Sequence, residues 1–245
     1  MWVRLSAIEA GQDDGYAAAT VRRAALQGVA SRGMGATEVV DAAAIRAYLG
    51  RCARVIRRHR AYLTRLDSAL GDGDHGDNMA LGFAAVEEQL DGAGADGSIG
   101  DVLRAAGHCL VGSVGGASGP LYGTAFLEAA AATGGANILD AAALARVLEA
   151  AAHALARRGR CVVGDKTILD TLRPAADACS ASVAAGGALP VAIAAAIRAG
   201  HDGMRSTRPL VARRGLALRL GARSAGHLDP GAASCFLLLR AMVPN

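Results

Sequence analysis

Residues 66–79 read LDSALGDGDHGDNM and separate two helical patterns. They place Asp67, Asp72, Asp74 and Asp77 within a short stretch, with glycines between them. Carboxylates this close repel one another unless a cation lies between them, and hard oxygen ligands suit Mg²⁺. A solvated acidic turn could have the same residues, although the flanks here are apolar. The stretch therefore predicts a helix break that is also a metal-binding loop.

Helical periodicity continues on both sides of this loop. Apolar residues recur at helical spacing over residues 45–66, with Asp41 as the expected N-cap. Seven more helices are predicted at residues 78–90, 99–110, 120–132, 140–157, 167–184, 190–206 and 230–242. Alternating β-branched runs are missing from the sequence. We therefore expect an all-α fold, a single up-and-down antiparallel barrel or bundle of about eight helices.

Composition supports this fold class. Hydrophobic residues make up 52% of the 245 residues, but much of that share is alanine, the best helix former, and only 3% are aromatic. Residues 41–245 are predicted to form one domain. Residues 1–40 are predicted to form an N-terminal arm with room for one short helix at 16–29.

Charge and cysteine usage restrict the partners and the compartment. The net charge is +4, but the basic clusters at 51–60 and 205–223 lack interleaved aromatic residues, which argues against nucleic acid. Five scattered cysteines without CxxC spacing favour a reducing compartment. The most apolar tract, 178–197, contains Pro190, so no membrane span and a cytoplasmic location are expected.

The polar residues are concentrated in alternate connections between helices. The loops after the first, third, fifth and seventh predicted helices read GDGDHGDN, GSVGGASGP, GRCVVGDKT and RSAGHLDPG. The other loops contain mostly small residues. Because alternate loops of an up-and-down bundle lie at the same end, all four polar loops should meet at one end.

These loops combine a metal site with potential anion sites. Glycine-rich turns before helices, at residues 76–78 and 112–119, expose backbone N–H groups that can bind phosphate oxygens. The combination predicts a nucleotide or polyphosphate ligand. His75, His227 and Lys166, the only lysine, are candidate phosphate contacts, and each could equally be structural. Residues 159–167 resemble a Walker A motif only loosely, since no strand precedes them.

Four motifs in this order resemble the L subunit of dihydroxyacetone kinases. They are GDGDHGDNM from Gly71, SVGGASGPLYG from Ser113, GDKTILDTLRPA from Gly164 and GARSAGHLDPGAAS from Gly221. The resemblance spans about residues 41–243 and leaves residues 1–40 outside. It implies an eight-helix barrel that holds ADP and two Mg²⁺ ions among the loops at one end.

The resemblance also implies roles for individual residues. Asp67, Asp72 and Asp74 would coordinate the magnesium pair. The nucleotide would be held by residues from all four polar loops: His75, Gly76, Asn78, Met79, Gly112, Ser113, Gly159, Ile168, Asp229, Pro230 and Gly231. No further catalytic side chain is assigned, because phosphoryl transfer depends mainly on positioning and on neutralising charge.

After Gly73 and Asp74 the chain continues with His75, Gly76, Asp77 and Asn78. This continuation resembles the branch of the family that depends on the phosphotransferase system. That branch implies ADP or ATP kept as a bound coenzyme and recharged by a phosphohistidine carrier subunit. The phosphoryl group would pass to dihydroxyacetone, or a similar short ketose, on a separate K subunit. The chain has room for a nucleotide domain but not for a sugar-binding domain.

Departures from the family leave two alternatives open. Leu216 and Ala222 stand where relatives often have a basic residue and a Glu, with Arg213, Arg214 or Arg219 as possible substitutes. Asp77 has no assigned role. The alternatives are a stand-alone ATP-dependent ketose kinase and a regulatory, nucleotide-loaded module that binds a transcription factor.

Overall fold

The computed structural model describes residues 39–92 and 97–244. The arm expected at residues 1–40, with its short helix, lies almost entirely outside these ranges. Within them the expectation of an all-α fold with about eight helices is confirmed. The helices are α1 (Ala42–Ser68), α2 (His75–Gly92), α3 (Ile99–Ser113), α4 (Ser118–Ala132), α5 (Ala141–Gly159), α6 (Leu169–Ala184), α7 (Leu189–Ser206) and α8 (Pro230–Arg240).

Capping side chains fix where several of these helices begin. The Asp41 carboxylate accepts a hydrogen bond from the Ala44 N–H (2.8 Å) and so caps α1. Ser98 and Asp101 form a complete capping box at α3. The Asp41 cap was predicted and is confirmed. These caps satisfy N–H groups that the first turn of a helix cannot pair internally.

Three short elements were not predicted. Strand β1 (Val40–Asp41) pairs antiparallel with strand β2 (Ile138–Leu139), and each has only two residues. A 3₁₀ helix, η1 (Leu216–Ser224), lies in the long connection between α7 and α8. Helix α2 also starts at His75, three residues earlier than expected, because the Asn78 N–H already bonds to the Asp74 carbonyl.

The helices form a closed ring. Each of them packs against the next one in the chain, and α8 packs against both α7 and α1. Fully buried apolar side chains, such as Leu49 and Ile56 of α1 and Phe83 of α2, form the core inside this ring. None of the helices within 39–92 and 97–244 combines the length and the apolarity that crossing a membrane requires.

A largely apolar cavity of about 430 Å³ lies inside this barrel. Its wall includes Val40 of β1, directly before α1, Ala129 of α4, Ala151 of α5 and Met242 after α8. The cavity therefore extends toward the end of the barrel where α1 begins and α8 ends. Because the wall is largely apolar, added apolar side-chain volume here should bury more apolar surface and stabilise the fold.

Candidate active site at one end of the barrel

The four polar loops meet at one end of the barrel, as their alternation predicted. The His75 ring, at the start of α2, contacts Ser118 at the start of α4 and Ser234 of α8. The Lys166 ammonium, between α5 and α6, donates to the Thr207 carbonyl (2.6 Å) in the connection between α7 and α8. Hydrogen bonds thus link loops that are up to about 160 residues apart in sequence.

Asp67, Asp72 and Asp74 form a cluster of carboxylates. One oxygen from each lies within 4.8 Å of the others. Asp67 is buried and the other two are exposed, so the cluster has one fixed and two solvent-facing members. Burial raises the pKa of Asp67, and the charge of Asp72 raises it further. A divalent cation among these oxygens would offset both effects, so the donor set fits Mg²⁺.

The backbone of the loop is wrapped around the Asp67 side chain. Its Oδ2 accepts hydrogen bonds from the N–H groups of Gly73 (3.0 Å), Asp74 (3.0 Å) and His75 (3.2 Å). Gly73 has a φ of +79°, and a Cβ at Gly71 would lie 2.5 Å from Asp67 Oδ1. Glycine is therefore required at both positions, and the loop brings Asp72 and Asp74 back toward the end of α1.

Asp77, the fourth carboxylate of the stretch, lies outside this cluster. It forms an ion pair with the Arg60 guanidinium on α1, and that hydrogen bond lowers the pKa of the Asp77 carboxyl. Gly76 lets α2 approach α1 closely, because a Cβ there would lie 2.1 Å from the Arg60 carbonyl. The structure thus gives Asp77 a role in holding α2 against α1.

The His75 ring is buried in a hydrogen-bond network. Its Nδ1 lies 3.0 Å from the Ser118 hydroxyl, and its Nε2 lies 2.9 Å from the Ser234 hydroxyl. Burial lowers the pKa of His75 to about 4, so the ring is neutral at physiological pH. Sequence reasoning missed both serines, although each lies inside a motif quoted above. Met79, from the same predicted set, is fully buried in the core.

The glycine turn between α3 and α4 lies next to Asn78. A Cβ at Gly115 would lie 2.9 Å from the Asn78 side-chain oxygen, and Gly116 has a φ of +65°. Gly112 and Ser113 form the last turn of α3, with open space beside Gly112. The glycine turn can therefore present backbone N–H groups next to the first turn of α2. The N–H groups of the glycine turn and those of the first turn of α2 would together attract an anion.

Lys166 is a structural residue in this arrangement. Its side chain is buried, and its ammonium donates to the carbonyls of Thr207 and His227. The Lys166 backbone has a φ of +64°. The Asp170 carboxylate stabilises this conformation, because it accepts hydrogen bonds from the N–H groups of Gly164 (2.6 Å) and Thr167 (2.7 Å), on either side of Lys166. Lys166 thus holds the connection between α7 and α8 at the polar end.

The remaining predicted residues lie around the start of α8. Asp229 caps α8 by accepting from the Ala232 N–H (2.7 Å), with Pro230 at the first helical position. Burial raises the pKa of Asp229 to about 7. A Cβ at Gly231 would lie 3.5 Å from the Ile168 Cβ, so these two residues are neighbours. Gly159 ends α5 next to Cys161.

Helix η1 packs against the start of the metal loop. Its Ala217, together with Ala212, packs against Leu70, which directly precedes the GDGD stretch. Leu216 and Arg219 point outward and are exposed. Arg214 instead forms an ion pair with the buried Asp165 (3.1 Å). Of the proposed basic substitutes, Arg214 is therefore already engaged within the fold.

Comparisons with known proteins agree with this geometry. The family model described as the DAK2 domain matches residues 69–244. The chain is 39% identical over 209 residues to the ADP-binding subunit DhaL of PEP-dependent dihydroxyacetone kinase 2 from Listeria innocua, covering 84% of this chain and 96% of that protein. It is 40% identical over 193 residues to the corresponding Escherichia coli subunit, covering 79% and 91%.

The fold is shared with solved structures of a kinase. The dihydroxyacetone kinase from C. freundii, in complex with AMP-PNP and Mg²⁺, superposes with a TM-score of 0.62 at 23% identity. The match covers 86% of this chain and 36% of that one, so the chain spans about a third of that kinase.

Proposed function

This chain belongs to the DAK2 domain family, and from that premise we propose that it is the ADP-binding subunit of a phosphoenolpyruvate-dependent dihydroxyacetone kinase. The observation that carries the proposal is the meeting of a three-carboxylate cluster with glycine-rich helix starts at one end of the barrel. Residues 41–245 would form the nucleotide-binding domain, with residues 1–40 as an arm.

The carboxylate cluster and the glycine turns suit different parts of one ligand. Asp67, Asp72 and Asp74 would hold two Mg²⁺ ions. The backbone N–H groups of the first turn of α2 and of residues 112–119 would receive phosphate oxygens. A bound magnesium nucleotide would supply the phosphoryl group and neutralise the charge around it. The two DhaL relatives, named as ADP-binding, support this assignment.

The protein itself contributes position and a fixed electrostatic environment. Asp67 is held by three backbone amides, so its carboxylate cannot rotate away from the cluster. Asn78, in the first turn of α2, has its side chain next to the glycine turn, where its amide can orient an anion bound there. Groups fixed in this way need little reorganisation when charge moves during phosphoryl transfer.

The acceptor and the phosphoryl donor would come from other subunits. We expect dihydroxyacetone, or a similar short ketose, to be presented by a sugar-binding K subunit at the polar end. A phosphohistidine carrier subunit would recharge the bound ADP. The five free thiols suit the reducing cytoplasm, where these partners would act.

The test is a reconstituted transfer assay with the purified chain. Heat denaturation should release a small molecule with the mass of ADP or ATP. Formation of ketose phosphate should then require the carrier and the K subunit, with little exchange of radiolabelled bulk ATP into the protein. Rapid exchange and turnover on bulk ATP without a carrier would show a stand-alone ATP-dependent kinase instead.

A further inference from the structure

We infer that His75 is a positioning residue whose ring couples the metal-binding loop to the starts of α4 and α8. The inference rests on the proposed function, because it assumes that these three segments bind the magnesium nucleotide. It assigns the His75 side chain a role beneath the site and not on the ligand. Three sets of contacts support it.

The first set connects His75 to the carboxylate cluster through the backbone. The His75 N–H donates to Asp67 Oδ2 (3.2 Å), the same oxygen that accepts from Gly73 and Asp74. His75 is also the first residue of α2. A shift of this residue would therefore move the metal loop and the helix start together.

The second set connects the ring to α4 and α8. Nδ1 lies 3.0 Å from the hydroxyl of Ser118, the first residue of α4, and Nε2 lies 2.9 Å from the hydroxyl of Ser234. The ring is buried, and Ser234 is fully buried. Water therefore cannot readily replace these bonds, and the ring fixes the distance between the two helices.

The third set extends the chain of bonds to Gly231. The Ser234 hydroxyl lies 3.0 Å from the Gly231 carbonyl and 2.7 Å from the Tyr122 hydroxyl. The Tyr122 hydroxyl also lies 3.3 Å from the same carbonyl. The His75 ring therefore belongs to a network that reaches the first turn of α8.

The network therefore runs from the metal loop to Gly231, next to the α8 cap Asp229. The carboxylates and the predicted nucleotide-binding residues of α8 are held in register by one side chain. Partners that orient ligating groups in this way typically change metal affinity by roughly ten- to a hundredfold when they are lost. A similar loss of affinity for magnesium ADP is expected here.

The experiment compares variants that cut one arm of the network at a time. Gln places its amide nitrogen near the position of Nε2, and Asn places it near Nδ1. His75→Gln should therefore keep the Ser234 arm, whereas His75→Asn and Ser234→Ala lose it. The matched control is Thr171→Val, which removes another buried hydroxyl bonded to the first turn of α8, at the Ala232 carbonyl (3.0 Å).

Calorimetric titration of the nucleotide-free proteins with ADP and Mg²⁺ gives the readout. His75→Asn and Ser234→Ala should weaken binding by roughly ten- to a hundredfold, and His75→Gln by about threefold or less. Thr171→Val should lower the melting temperature but bind like the wild type. Circular dichroism establishes that each variant is folded. If Ser234→Ala does not fold, the relative affinities of His75→Asn and His75→Gln test the inference, because only His75→Asn should bind much more weakly than the wild type.

Two results would overturn the inference. Wild-type affinity in His75→Asn and Ser234→Ala would show that the ring does not set the register. An equal loss in Thr171→Val would show that any loosening of α8 has the same effect. Failure of the wild-type protein itself to bind magnesium ADP would refute the proposed function, which is a separate outcome.

Discussion

Replacing Asp229 by Asn should change how the stability of the ligand-free protein depends on pH. Burial raises the pKa of the Asp229 carboxyl from 3.8 to about 7, against the opposing effects of the Ala232 N–H and of Lys166. The folded state therefore binds a proton more tightly than the unfolded chain does. Between about pH 4 and pH 7 the contribution of Asp229 to stability must fall as pH rises.

The magnitude follows from the size of the shift. About three pKa units, at 1.36 kcal/mol each, give an upper limit of about 4 kcal/mol for the penalty of ionised Asp229 at pH 8. Asn keeps a side-chain oxygen for the N-cap but cannot ionise. Asp229→Asn should therefore unfold with nearly the wild-type free energy at pH 4 and be clearly more stable than the wild type at pH 8.

The assay is urea unfolding followed by circular dichroism, in EDTA and without nucleotide, at pH 4 and pH 8. Asp140→Asn is the matched control, because the exposed Asp140 caps α5 with the same type of bond, to the Ala143 N–H (2.7 Å). This control measures the effect of replacing a capping Asp by Asn at an exposed helix start. If the difference in unfolding free energy between Asp229→Asn and wild type is the same at pH 4 and pH 8, the account of Asp229 is wrong.

Two further predictions concern residues away from the proposed ligand. Lys166→Met should lower the free energy of unfolding by about 2 kcal/mol in urea titrations, because the carbonyls of Thr207 and His227 lose their shared donor. An unchanged urea midpoint of unfolding would contradict this. Ala151→Leu should stabilise the fold by about 1 kcal/mol, because Ala151 lines the cavity. The control is Ala152→Leu, which should destabilise the fold by about 1–3 kcal/mol, because Ala152 is fully buried and does not line the cavity. The reverse order of melting temperatures would refute the cavity assignment.

The helical order and the location of the polar end could be predicted because they depend on local rules. Apolar spacing and N-caps such as Asp41 and Ser98 define helices within the sequence itself. Alternation of polar loops then requires only that consecutive helices run up and down. The carboxylate cluster was predictable for the same reason, because its three members lie close together in the sequence, at the end of α1 and in the loop that follows.

Contacts between distant segments could not be predicted in this way. The bonds from His75 to Ser118 and Ser234 depend on how α4 and α8 pack against α2, which no local pattern records. Lys166 stood out as the only lysine, but only the fold shows that it donates to carbonyls of a segment 41 and 61 residues away. Asp77 could not be assigned a role from the sequence, and the fold pairs it with Arg60.

The central claim is that Asp67, Asp72 and Asp74 join the nucleotide to the protein through Mg²⁺. The most direct test is calorimetric titration with ADP, with and without Mg²⁺, for wild type, Asp74→Asn and Asp77→Asn. We expect Mg²⁺-dependent binding in the wild type and in Asp77→Asn, and a loss of at least about tenfold in Asp74→Asn. Equal affinity in Asp74→Asn and wild type, or binding that does not depend on Mg²⁺, would contradict the claim.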